Sequence, residues 1–90
     1  MAVPFTTRMR AATEVINMLQ KKKCPIVSMH VGSRSVVIML SRKPPMAGNA
    51  IKVVGGPDGL YQIYCRRFGI VSVEWRTPYV HDYGQPKRVH

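Results

Sequence analysis

The apolar residues Phe5, Met9, Ala12, Ile16 and Leu19 recur at spacings of four, three, four and three. At 3.6 residues per turn this spacing gathers them into one stripe and predicts an amphipathic helix. Thr6 or Thr7 is placed to cap its start by accepting a backbone N–H that has no partner in the first turn. Lys21, Lys22 and Lys23 fall in the last turn, where the negative end of the helix dipole favours cations. Pro25 then forces Cys24 out of helical geometry. Arg8 and Arg10 sit in the first turn, against the same dipole, and a local rule broken twice marks them as candidates for a binding surface.

From Ile26 the period changes to two. Val27, Met29 and Val31 alternate with Ser28 and His30, Gly32-Ser33-Arg34 supplies a turn, and the run from Val36 to Leu40 predicts a strand that is central or covered on both faces. The two segments read as a hairpin. Residues 42–49 form a loop, because Pro44 and Pro45 cannot donate ladder hydrogen bonds. A short strand over 50–54 meets the turn Gly55-Gly56-Pro57-Asp58-Gly59. Strands over 60–66 and 70–76 then follow, joined by a tight bend near Arg67-Phe68-Gly69.

Alternation divides these strands between two faces. One carries Val27, Met29, Val31, Val36, Ile38, Leu40, Ile51, Val53, Tyr61, Ile63, Val71, Val73 and Trp75, and is expected to pack on the helix. The other carries Ser28, His30, Lys52, Gln62, Tyr64, Arg66, Ser72, Glu74 and Arg76, with Val37 and Met39 at its middle. No second helix remains to cover that second face. The expected fold is therefore α+β: one N-terminal helix on one face of a four- or five-stranded, mainly antiparallel sheet. A single domain over 1–77 precedes a basic, irregular tail over 78–90.

Composition sharpens the functional reading. The 90 residues hold 14 Lys and Arg against four Asp and Glu, a formal charge of +10. Surplus charge of one sign raises affinity for polyanions, so nucleic acid is the leading partner class, with DNA and RNA undistinguished. The start lacks an apolar signal segment, and no long apolar run suggests a membrane span, so a cytoplasmic chain with reduced Cys24 and Cys65 is expected.

The candidate nucleic-acid contacts are Arg66, Arg67, Arg76, Lys52, Tyr64 and His30 on or beside the open face, Arg8 and Arg10 at the helix start, and Lys21, Lys22 and Lys23 at its end. Arg forks phosphates and base edges, and an aromatic ring stacks on an unpaired base. Arg42 and Lys43 are placed to supplement the lysine run, and Lys87 and Arg88 to add phosphate contacts from the tail. The glycine-rich turn lacks the Lys-Ser/Thr ending of a phosphate loop, and the scattered His and Cys lack zinc spacing, so no cofactor or metal is expected.

An acid–base nuclease would need His30, Glu74, Tyr64 and Arg66 assembled on one face. Small basic ribonucleases order their helices and strands differently, and the chain reads as non-enzymatic. The alternative is a protein-interaction module, an inhibitor or adaptor, whose Val37 and Met39 patch meets an acidic protein partner. The same patch, with an exposed sheet edge, leaves a homodimer open.

Overall fold

The computed structural model describes residues 3–57 and 59–79. Helix α1 spans Phe5–Lys21, and the strands are β1 (Ile26–Val31), β2 (Val36–Leu40), β3 (Asn49–Gly56), β4 (Gly59–Phe68) and β5 (Val71–Pro78). They form one five-stranded sheet in the order β1-β2-β5-β4-β3. Every neighbouring pair is antiparallel except β2 with β5, which is parallel. The α+β class, the single N-terminal helix and the mainly antiparallel sheet expected from the alternation are all present.

The helix starts earlier than the threonines suggest. Pro4 occupies the N-cap position without a side-chain cap, and the Arg8 amide donates to the Pro4 carbonyl at 3.0 Å, so Thr6 and Thr7 lie inside the first turn. Proline suits this position because its missing N–H would have gone unpaired there. Ala12, Val15 and Leu19 are buried, whereas Phe5, at the end of the expected stripe, is 59% exposed.

At the other end, the Cys24 amide donates to the Leu19 carbonyl at 2.9 Å and the Lys23 amide to the Gln20 carbonyl at 3.0 Å. This pair of bonds is the Schellman closure, with buried Cys24 packed in the same core as Leu19. Its left-handed residue is Lys23, at φ 57°, where glycine would be unstrained.

Under the helix, Val36, Ile38, Val71 and Val73 are fully buried along the parallel β2–β5 seam, and Leu40 and Trp75 extend the same core. Burying a large apolar side chain is worth about 1.5–3 kcal/mol, so this seam is where the layers are held together.

Two features move residues away from their expected faces. Bulges fall at Val27 in β1, between Ile26 and Ser28, and at Ile51 in β3, between Ala50 and Lys52. Neither side chain joins the core: Val27 is 62% and Ile51 49% exposed, and Val53 on the edge strand is also exposed.

The larger correction concerns β4. Phe68 pairs with Val71 across a turn at Gly69-Ile70, so Arg66 falls opposite Val73, Tyr64 opposite Trp75 and Gln62 opposite Thr77. Cross-strand partners share a face, which puts Gln62, Tyr64 and Arg66 on the helix side and Tyr61 and Ile63 on the open side, the reverse of the expectation. Gly69 has φ 64° while Ile70 does not go positive, the sign pattern of a type II′ turn. That turn lies one to two residues past the expected bend, and a one-residue slip inverts a whole strand.

β5 runs to Pro78, and the Tyr79 amide donates to the Leu60 carbonyl at 3.0 Å, so pairing passes the expected domain limit at residue 77. The rest of the expected tail, including Lys87 and Arg88, lies outside the described residues, as does Asp58. No helix among the described residues is long and apolar enough to cross a membrane.

Candidate nucleic-acid interface

The open face collects His30, Lys52, Arg67 and Arg76, all exposed, around a middle of Val37, Met39, Cys65 and Ile63. Ile63 has Arg76 opposite it on β5 and Lys52 on β3, and it is only 5% exposed although no helix among the described residues covers that side. The Arg76 guanidinium lies 5.0 Å from the centroid of the Tyr61 ring. Glu74 sits among these cations, between Met39 and Cys65, and moderates the local field. Cys65 is thus on the open side while Cys24 is in the core, so the sheet separates the two free thiols.

Arg66 and Tyr64 are not part of this face. On the helix side, Arg66 donates from Nη1 to the Ala47 carbonyl at 3.1 Å and lies 5.5 Å from the centroid of the Phe68 ring. The set His30, Glu74, Tyr64 and Arg66 is therefore split across the sheet. His30 and Glu74 are on one side but two strand spacings apart, at least about 10 Å.

Arg8 is also committed elsewhere. Its Nε donates to the Val3 carbonyl at 2.9 Å and its Nη1 to the Gly32 carbonyl, which ties the helix start to the β1–β2 turn. Its guanidinium further stacks 5.3 Å from the Phe5 ring centroid. Arg10, two residues on and so nearly on the opposite side of the helix, is exposed.

A second basic surface lies at one end of the sheet. Ile26 at the start of β1 pairs with Leu40 at the end of β2, and the Ser41 amide donates to the Pro25 carbonyl at 3.1 Å. This junction brings the helix end, with Lys21, Lys22 and Lys23, beside Arg42 and Lys43, all of them exposed. No acidic residue lies within either segment.

The loop over 41–48 then crosses the helix side of the sheet from β2 to the far edge strand β3. It roofs a cleft of about 440 Å³ bounded by Lys43, residues 46–48, Tyr64, Trp75 and Thr77. The Tyr64 and Trp75 rings are parallel within 7°, with centroids 6.0 Å apart. Trp75 is 1% exposed, and the Gly48 main chain sits directly on its ring: a Cβ there would lie 2.4 Å from Trp75 Cη2. On the other side Tyr64 pairs with Ala50, which is exposed and offers only a methyl group.

Alternation alone assigns Trp75 to the core and Tyr64 to the opposite face, and so misses their stack. The signal that finds it is the turn: counting back equally from Gly69-Ile70 sets Tyr64 against Trp75. Among the described residues no group of three or more His, Cys, Asp or Glu is arranged to hold a metal ion. Compared with known proteins, the chain matches no protein-family model, no curated protein and no solved structure.

Proposed function

We propose that this protein is a small, non-enzymatic nucleic-acid-binding protein. Its principal phosphate-contacting surface is the basic end formed by Lys21, Lys22, Lys23, Arg42 and Lys43, extended by Lys52, Arg67 and Arg76 on the open face. The observation that carries the reading is the convergence of two separate basic segments through the Pro25–Ser41 junction, with no acid in either. Fixed cations on a folded scaffold displace condensed counterions from a phosphate chain, and that release drives association.

The test is a salt titration of fluorescence anisotropy with labelled oligonucleotides between about 50 and 200 mM salt. Binding should weaken steeply, and K22A/R42A should flatten the log–log slope by about 0.7–0.9 for each phosphate that is no longer neutralised. Arg67→Ala should weaken binding more than Arg66→Ala, because the Arg66 guanidinium already holds the loop carbonyl. Absence of binding at the lowest salt, or equal affinity of K22A/R42A and wild type, would refute the reading.

A second reading is favoured by a different observation. Val27 and Met29 on β1 and Ile51 and Val53 on β3 leave both sheet edges with exposed apolar side chains. Exposed edges of this kind accept an added strand, from an acidic protein partner or a second copy of the chain. A complex that survives moderate salt and excludes nucleic acid would favour this module reading.

A further inference from the structure

We infer that the cleft beside Tyr64 and Trp75 receives an unpaired nucleobase, so that the preferred ligand is single-stranded nucleic acid. This rests on the nucleic-acid reading above and adds the substrate class.

Tyr64 and Trp75 stand on adjacent strands as parallel plates. Trp75 is sealed, with Gly48 against its ring, so it braces the stack and leaves Tyr64 as the accessible member. Tyr64 is half-buried and lines the cleft together with Lys43, Thr77 and residues 46–48. A planar aromatic ligand entering here meets the ring surface that Tyr64 presents to the cleft, and bases stack on aromatic side chains irrespective of sequence.

The cleft is also suitable in size and polarity. A volume of about 440 Å³ falls within the range of small-molecule sites. Thr77 contributes a hydroxyl, and residues 46–48 contribute main-chain groups that can meet a base edge. Arg66 acts as a positioning residue: its bond to the Ala47 carbonyl holds the roof over the cleft.

Charge identifies the occupant. Lys43 lies at once in the cleft lining and next to Arg42 in the basic end. A base in the cleft therefore leaves its phosphates beside the fixed cations. A free aromatic metabolite would leave that cluster unused. In a duplex the base is already stacked and paired, and extruding it costs a few kcal/mol. Single strands escape that cost.

Trp75 is the only tryptophan in the chain, so its emission reports on the cleft through its stack with Tyr64. The full chain is titrated with short oligo-dT, oligo-U and a duplex of equal length at one salt concentration. Both single strands should quench Trp75 and bind at least about tenfold more tightly than the duplex, and the two arms distinguish DNA from RNA as the source. Tyr64→Leu, which keeps an apolar side chain but removes the ring, should lose about tenfold in single-strand affinity with little change for duplex.

Should Tyr64→Leu fail to fold, photocrosslinking of wild type with thio-substituted oligonucleotides supplies the second readout. Adducts on Tyr64 are expected, and adducts confined to the lysine cluster overturn the cleft assignment. Equal binding of single strand and duplex, without quenching, overturns the cleft and leaves phosphate binding standing. No binding of any oligonucleotide at low salt overturns both.

Discussion

Gly48→Ala tests whether the loop over 41–48 is seated on the core. A Cβ at this position would lie 2.4 Å from Trp75 Cη2, 2.9 Å from Cζ2 and 3.0 Å from the Cys65 carbonyl oxygen. Carbon atoms pack at about 3.5–4.0 Å, so the methyl overlaps the ring by roughly 1 Å. Trp75 is a rigid, buried side chain clasped against Tyr64, so the loop must lift. Overpacking of this kind costs about 1–3 kcal/mol. For a domain of this size each kcal/mol lowers Tm by about 4–8 °C.

The assay is thermal unfolding by circular dichroism with Trp75 emission recorded in parallel. Gly48→Ala should melt at least about 4 °C below wild type, with emission shifted to the red as the ring is uncovered. Gly55→Ala is the control, because nothing lies within 4 Å of a Cβ there and its φ is not positive. It should be neutral or slightly stabilising. If Gly48→Ala melts with wild type and keeps its emission maximum, the loop does not rest on Trp75 and the cleft loses its roof.

Other substitutions test the helix ends. Lys23→Gly relieves the left-handed backbone at φ 57° and should raise stability by about 0.5–1 kcal/mol in chemical denaturation, beyond any gain from Lys23→Ala, which removes only the charge. Arg8→Ala removes bonds to the Val3 and Gly32 carbonyls and should lower stability by about 1 kcal/mol, whereas exposed Arg10→Ala should leave the melt unchanged. Equal melts for the two arginine variants would show that Arg8 does not tie the helix to the hairpin.

Much of the architecture is legible in the sequence because strong periodicity leaves little choice. The β2 run Val36–Leu40, with Gly32 ahead of it and the prolines behind, has to be an interior strand, and the lysine run before Pro25 has to end the helix. β4 is not legible in the same way. Its apolar residues Leu60, Tyr61, Ile63, Tyr64, Cys65 and Phe68 load both faces, so alternation cannot choose between them, and the choice passes to turn geometry at Gly69-Ile70.

The same inversion reshapes the candidate interface. Arg67 stays with Lys52, Arg76 and His30, while Tyr64 and Arg66 pass to the cleft side. The bulges at Val27 and Ile51 are also hidden, because an extra residue in an edge strand carries no sequence mark of its own. Arg8 reads as a free cation because hydrogen bonds to carbonyls of distant residues have no local sequence signature.

The parallel β2–β5 seam has a kinetic consequence. The β1–β2 hairpin and the β3–β4–β5 meander are each assembled from neighbours along the chain, and each can organise through short-range contacts. The seam joins position 36 to position 71 and the helix packs on β5, so the closure entropy of these long-range contacts must be met before the valines are sealed under the helix. The meeting of the hairpin and the meander is therefore the step expected to limit the rate of folding. The amide protons of Val36, Ile38, Val71 and Val73 should be the slowest to exchange, released only when the halves part and the whole molecule opens.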